Sequence, residues 1–526
     1  MRLFRRSRQL RSPMFLALVL LLAFGLRLIN LGARTLWYDE AFAVLFAEKG
    51  LDAMREGTLT AVDGSAADVH PLLYYSMLYG WMRVAGQSVV AVRLLSVLCG
   101  VLTVSVVYGL ARDWFGETTG RAAALIAALA PFHVQYSQET RMYALLSLTL
   151  MLATWACWRA WWTQRWAWWL LFGILAGVSM YVQQLAAFSL LALGILPLLW
   201  RDVRRMATMI AAGLVALLIY LPWLTHLPAQ MGKLRQYWVE RPNILHLWLA
   251  LRSFISVNLD FSAKWWLPTF LLAAVLIVFA IIEWRRAWRV LPRHSTERVA
   301  ISWALWLALA PMILMWGASH LWQPVFLPRA LLPSALLFYV AMAWLFARSA
   351  VPVPIKGILA ASWGGVIVFG LITHYTWDTF PTPPFDRATT YLRAHLAAGD
   401  VVVHGNKITA LPMMVYGRDI PQRYVRDIPG SGSDTLALPT QQVLGALADD
   451  CVAEAVQGAS RVWYVAFDRL EEEMGELIAE KPDAIRYDSL RWLRQHYTQQ
   501  DIQAFHDLQV YLFAEPDAQA LLARCD

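Results

Sequence analysis

The segment PMFLALVLLLAFGLRLINLGARTLWYDE, residues 13–40, decides the fold. Residues 13–31 carry Arg27 as their single charge. A run of that length suits an α-helix crossing the hydrocarbon core, which needs roughly 20 residues. It is too long for a signal peptide and lacks a small-residue cleavage site, so a retained helix is expected. Leu36-Trp37-Tyr38-Asp39-Glu40 follows closely, placing two aromatics and two adjacent carboxylates at a membrane surface. Trp37 and Tyr38 alone read as interfacial anchors. Carboxylates at that depth must be paired, hydrated or used, so the pair points to a polar pocket on the outward side.

The rest of the chain extends that reading. Its 526 residues are 59% hydrophobic and 16% charged, against about 25% charged in soluble proteins. Further apolar runs fall at 89–111, 118–134, 140–162, 166–182, 184–200, 207–227, 265–284, 299–317, 328–347 and 356–374. With the first they predict a polytopic α-helical membrane protein of about eleven spans. Arg2, Arg5, Arg6, Arg8 and Arg11 precede the first run, and arginines recur in alternate loops: Arg112 and Arg121, Arg159 and Arg165, Arg201 to Arg205, Arg285 to Arg298, then Arg348. The positive-inside rule then predicts a multi-pass protein of the inner or plasma membrane, N-terminus cytoplasmic and C-terminus outside. The net charge of +8 is therefore topological, facing anionic membrane lipids. No nucleic-acid-binding motif is present, and no nucleic acid is expected as a partner.

A transmembrane domain, residues 1–375, includes long outer loops at 32–88 and 228–264. Pro71 to Val84 and Leu245 to Asn258 read as interfacial helices. The linker Pro381-Thr382-Pro383-Pro384 opens an extracytoplasmic domain, residues 376–526, of soluble composition. Val401–His404, Val462–Val465 and Leu508–Phe513 read as strands, and Asp386–Ala397, Thr440–Val456 and Leu470–Ile478 as helices, which predicts a small α/β fold. Cys451 and Cys525 share this domain, where an oxidising compartment permits a bond, but spacing alone leaves their pairing open.

Four constellations converge on the outer face under this topology: Asp39-Glu40, His70 to Tyr75, Tyr136 to Tyr143 and Phe326 to Pro333. Each has a plain structural alternative. Glu139 and Arg141 pair across a helix start, Arg329 snorkels to a headgroup, His70 caps a turn, or Asp39 caps a helix. Two acids, a histidine and two arginines at one depth instead suit an anionic, lipid-linked substrate.

The motifs Trp37-Tyr38-Asp39-Glu40-Ala41, His70-Pro71-Leu72-Leu73-Tyr74-Tyr75, Arg93-Leu94-Leu95-Ser96, Ser137-Gln138-Glu139-Thr140-Arg141-Met142-Tyr143 and Arg329-Ala330-Leu331-Leu332-Pro333, together with Arg27, are similar to a known pattern. The chain resembles the GT-C integral-membrane glycosyltransferases, in the family 39-like branch of protein O-mannosyltransferases and lipid A aminoarabinose transferases. Leu72, Ala330 and Gln183-Gln184 depart from that branch's usual Pro, Tyr and His. The resemblance implies an inverting transfer of one sugar from a polyprenyl-phosphate donor to a lipid, glycan or protein acceptor at the outer face. Alternatives are a transporter or flippase of lipid-linked sugars and a lipid-linked oligosaccharide transferase. Asp39 is the expected general base, with Glu40 as fallback and Glu139 as a third catalytic carboxyl. Arg141, Arg329, Lys233 and Arg235 are expected at the donor phosphate. Trp37, Tyr38, Tyr74 and Tyr143 are candidate substrate contacts. His70 is a candidate ligand for a divalent metal ion.

Overall fold

Helices occupy every one of the expected apolar runs in this computed structural model, which describes residues 2–62, 65–234, 239–257, 266–292, 295–428, 434–520 and Cys525. Among the described residues, six helices are long and apolar enough to cross a membrane: Val89–Phe115, Val203–Leu224, Leu267–Val290, Thr296–Leu321, Pro328–Arg348 and Val353–Thr376. The protein is thus a multi-pass helical membrane protein. Shorter apolar helices at Pro13–Leu28, Trp166–Val182 and Ala186–Leu199 stand beside them.

Local sequence sets the helix ends. Gly116, at φ +92°, turns the chain sharply between Val89–Phe115 and Glu117–Leu129, a conformation that glycine adopts without strain. The expected run 118–134 stops at Leu129, because Pro131 disfavours helical geometry at Ala130 and starts a new short helix, Pro131–Ser137. A non-helical segment then carries residues 138–142 before Tyr143–Thr163 begins. The loop after the first helix folds into helices Tyr38–Ala47, Leu51–Leu59 and Leu73–Ala85, with a hairpin of β1 (Ala61–Val62) and β2 (Ser65–Ala66) between the last two. Tyr74, Tyr75, Leu78 and Met82 bury one face of Leu73–Ala85. Asn243 caps Ile244–Ile255 with its side chain; the expected segment Pro71–Val84 is helical from Leu73, and Leu245–Asn258 is helical as far as Ile255, with Asn258 outside the described residues.

Beyond Thr376 the chain forms a six-stranded sheet from β3 (Val401–His404), β4 (Gln422–Val425), β5 (Ala448–Asp449), β6 (Arg461–Phe467), β7 (Thr498–Phe505) and β8 (Leu508–Ala514). Their order is β5-β4-β3-β6-β8-β7; β3 to β6 are parallel, and the hairpin β7–β8 closes the sheet antiparallel to β6. Alternation along the strands feeds two cores. Val402, Trp463 and Val465 pack with Phe385 and Leu392 on one face, while Val403, Val462 and Tyr464 pack with Leu490 and Leu493 on the other. A sheet covered on both faces needs continuous apolar strands, and β6 is buried throughout Val462–Phe467.

One sequence expectation fails here. Thr440–Val456 is not a single helix: Leu438–Leu444 ends at Gly445, in the left-handed conformation, and β5 precedes the short helix Val452–Val456. Cys451 and Cys525 are joined by a disulfide. Cys99 and Cys157 are buried free thiols.

The α/β domain is bonded to the loop that follows the first helix. Thr35 Oγ1 donates to the Pro383 carbonyl at 2.6 Å, and the Leu36 N–H donates to the Tyr416 hydroxyl at 2.8 Å. Thr440 Oγ1 donates to the Gly57 carbonyl at 2.8 Å, and Arg418 pairs with Glu48 at 2.9 Å.

Candidate active site

The site is organised by a buried ion pair. Arg93 lies near the start of helix Val89–Phe115, where an unpaired charge would be prohibitive, and is 1% exposed. All five of its N–H donors are used. Nε and Nη2 grip the two Glu40 oxygens at 2.8 and 2.6 Å. The rest donate to the backbone carbonyls of Leu31, Arg34 and Thr35 at 2.8, 2.8 and 2.9 Å. Glu40 also accepts the Thr140 N–H at 2.8 Å, which ties the 138–142 segment to the same node.

Successive helical residues point about 100° apart, so fixing Glu40 inward turns Asp39 elsewhere. Arg329 Nη1 donates to Asp39 Oδ2 at 2.8 Å, and Arg141 Nε lies 3.7 Å from the same oxygen. Arg141 Nη1 also donates to the Asp39 carbonyl and the Tyr75 hydroxyl, each at 3.2 Å. The Arg329 guanidinium stands over the rings of Trp37 and Tyr143, 5.7 and 5.3 Å from their centroids. Burial pushes the Asp39 carboxyl upward, but Arg141, Arg329 and His70 outweigh it and hold it below the usual carboxylate range.

Two cavities meet at this ion pair. One, of about 420 Å³, is lined by Asp39, His70, Tyr75 and Arg141 and by Lys407 and Thr440 of the α/β domain. The other, of about 700 Å³, is lined by Arg34, Glu40, Arg93, Tyr136 and Glu139. Trp37, Arg329, Phe380 and Arg469 border both.

Glu139 has a different character from Asp39. It is 9% exposed, and among the described residues its Oε2 has no hydrogen-bond partner. Burial, then the nearby Glu40 charge, pushes its carboxyl up to about 8, so it holds its proton at neutral pH.

The remaining expected residues fall in several places. Lys233 lines the smaller cavity and pairs with Asp434 of the α/β domain at 2.9 Å. Arg235 lies outside the described residues. The Tyr38 ring sits under Lys407, 5.8 Å away. Tyr74 faces inward to Ser96 Oγ at 3.1 Å and lines neither cavity; its neighbour Tyr75 does. Glu40 is no reserve base, since Arg93 and Thr140 occupy its oxygens. Asp39 does not cap its helix either; Trp37 stands at that position, without a side-chain cap bond.

His70 Nδ1 is 2.9 Å from Asp68 Oδ1. Among the described residues no three His, Cys, Asp or Glu side chains gather as a metal-ligand set, and Asp39 is turned to Arg329. The expected divalent ion therefore has no assembled ligands around His70.

Arg34, Lys407 and Arg469 were not expected. Arg34 has a readable signal, an arginine just beyond the first span. Lys407 and Arg469 have none, because they lie far along the chain and follow the ends of β3 and β6.

The helical membrane scaffold with its terminal α/β sheet is shared with solved structures, and part of the chain matches a known family. Residues 69–226 match the family described as dolichyl-phosphate-mannose-protein mannosyltransferase. An undecaprenyl phosphate-alpha-4-amino-4-deoxy-L-arabinose arabinosyl transferase of Pseudomonas paraeruginosa is 26% identical over 333 residues, 61% of this chain and 58% of that protein. The match thus spans less than two thirds of the relative. The fold superposes on ArnT from Cupriavidus metallidurans in the apo state with TM-score 0.60 and 12% identity, covering 97% of this chain and 98% of that one. With ArnT of the same organism bound to undecaprenyl phosphate the TM-score is 0.58 and the identity 14%, covering 95% and 97%. An Archaeoglobus fulgidus oligosaccharyltransferase gives 0.56 and 13%, covering 90% and 72%. The chain has the ArnT fold and resembles the aminoarabinose and O-mannosyl transferases.

Two outcomes are expected. Arg93→Met strands Glu40 as an uncompensated buried charge, which should cost about 3–5 kcal/mol and be visible as loss of a monodisperse, cooperatively melting protein in detergent. For Glu139 the folded carboxyl titrates above its unfolded value. Stability should therefore fall as pH rises from the ordinary glutamate range to about 8 and then level off. Thermal melts of Glu139→Gln across this range should lack that decline.

Proposed function

We propose that this chain is an inverting glycosyltransferase that moves one sugar from a polyprenyl-phosphate donor to a lipid, glycan or protein acceptor at the outer face. The observation that carries the reading is Asp39, a carboxylate pinned by Arg329 and Arg141 where two cavities meet. The likeness to transferases whose names specify undecaprenyl phosphate supports the donor class.

The chemistry follows from charge. A donor phosphate competes with Asp39 for the two guanidinium groups, since arginine binds phosphate through paired donors. As those contacts transfer, the restraint that lowers the Asp39 carboxyl is relieved and it becomes a stronger base. Asp39 then takes the acceptor proton while the acceptor attacks the anomeric carbon. The bond to phosphate oxygen breaks with its electron pair, and polyprenyl phosphate leaves toward Arg329 and Arg141. A single displacement of this kind inverts the anomeric centre. Trp37 and Tyr38 offer flat walls to the sugar, Tyr143 props Arg329, and Glu139 donates a hydrogen bond into the larger cavity.

We also propose about eleven spans, with the N-terminus cytoplasmic and the α/β domain outside. Helices at each apolar run and the alternating arginines support it. Lipid-linked oligosaccharide transfer is the second reading, favoured by the likeness to the archaeal oligosaccharyltransferase fold; the product mass, one sugar or many, separates the two. Transport is disfavoured because the ionisable residues gather at helix ends rather than at mid-span. A divalent ion recruited by His70 is a separate proposal.

In nanodiscs supplied with undecaprenyl-phosphate sugars and envelope lipid extract, wild type should yield a singly glycosylated product. Asp39→Asn should lower the rate on the order of 10²–10⁴ while binding undecaprenyl phosphate; full retained activity would remove Asp39 from the mechanism. Chelation in the same assay tests the His70 ion, whose role requires loss of transfer and recovery with one specific metal. Gln503→Cys, on an exposed strand, should react with an impermeant thiol reagent added outside intact spheroplasts; labelling only after lysis would reverse the orientation.

A further inference from the structure

The charges around the 700 Å³ cavity do not cancel as those around most buried sites do. Arg93 is neutralised by Glu40, Arg329 by Asp39, and Arg469 by Glu473 at 2.5 Å. Glu139 adds no negative charge while it holds its proton. Arg34 is left. It lines the cavity, and among the described residues it forms no ion pair. Its contacts are the His374 ring and carbonyl at 3.3–3.5 Å, long for hydrogen bonds to a cation. His374 is itself held by Gln138 Oε1 at 2.7 Å, so Arg34 is propped from behind.

Arg469 approaches from the α/β domain. It follows the carboxyl end of β6, whose neighbour β3 ends at His404. From β3 the chain proceeds to β4 and β5 on one side and then returns to β6 on the other. Such a reversal opens a crevice outside the strand ends, where ligands of open α/β sheets bind. Phe380 stacks beneath the guanidinium, with Cζ 4.0 Å from the ring centroid, and Glu473 engages Nε and Nη2. Arg469 is nonetheless 46% exposed at the cavity wall.

We propose that Arg34 and Arg469, together with Arg329, form an anion site in the 700 Å³ cavity that binds a phosphate-like group of a substrate. Arg34 brings a positive charge without an ion-pair partner among the described residues, and forked guanidinium donors suit the oxygens of a phosphate group. Two sources share that chemistry: the polyprenyl phosphate of the donor or an acidic group on the acceptor. Only this choice of source rests on the glycosyl-transfer reading. The site joins the outer loop, the entry to helix Leu332–Arg348 and the α/β domain, which makes that domain part of the binding wall.

The test is arginine modification by phenylglyoxal on the full chain in nanodiscs, mapped by mass spectrometry, with exposed Arg55 as reference. Inorganic phosphate should slow modification of Arg34 and Arg469 but not of Arg55. Arg34→Ala should weaken phosphate binding roughly 10-fold or more, the loss of one charged hydrogen bond, and Arg34→Lys should recover part of it in a protein with an unchanged melt. Protection by undecaprenyl phosphate as well assigns the site to the donor; protection by phosphate alone assigns it to the acceptor. Equal modification with and without both probes, in protein that binds undecaprenyl phosphate by fluorescence quenching, would overturn the proposal. Phosphate protection in protein that binds no undecaprenyl phosphate would retain the site and defeat the donor reading instead.

Discussion

The Arg93–Glu40 pair is the constraint on which the arrangement of the site depends. A charge pair withdrawn from water is costly unless every donor and acceptor is engaged, because attraction in a dry interior only offsets desolvation when geometry is complete. Arg93 meets that condition by collecting three carbonyls from the 31–35 segment as well as the carboxylate. The same bonds that make the charge tolerable hold the loop after the first helix against helix Val89–Phe115. Glu40 passes the constraint on to Thr140. Asp39 and Arg141 therefore face one another from segments held by one node.

That arrangement separates three carboxyls by role. Glu40 is matched and structural. Asp39 is ionised but loosely shared between two arginines, with its second cation 3.7 Å away. Glu139, with no cation in hydrogen-bond reach among the described residues, has its carboxyl pushed up by burial and keeps its proton. Environment, rather than residue type, sets these differences. The α/β domain adds Lys407, Arg469 and Phe380 to the walls, so the cavity is lined by both domains.

Much of the scaffold was legible from local pattern. Apolar runs of spanning length mark helices because unsatisfied backbone groups are too expensive in lipid, and the short apolar strands at Val401–His404 and Val462–Val465 stand out against polar surroundings. Where the reading failed, a long-range or backbone effect had intervened. Gly445 interrupts a plausible helix at Thr440–Val456 by adopting a left-handed turn. The strand β7 went unread because it is a polar edge strand, exposed along nearly its whole length. Tyr74 and Tyr75 are adjacent and chemically alike; only the orientation of their helix shows that Tyr75 faces the cavity and Tyr74 faces Ser96.

By itself the sequence determined that this is a helical membrane protein with a terminal α/β domain, and it singled out Asp39, Glu139, Arg141 and Arg329. Hydrophobic run length, arginine placement and motif order are local properties and survive in one dimension. Which of two adjacent acids is locked to Arg93 and which is turned to Arg329 was decided by tertiary structure alone. So were the partner of each arginine, the raised titration of Glu139 and the entry of Arg469 into the site. Those depend on burial and on contacts between segments far apart in the chain, and electrostatic energy is governed by distance and dielectric rather than by order along the chain.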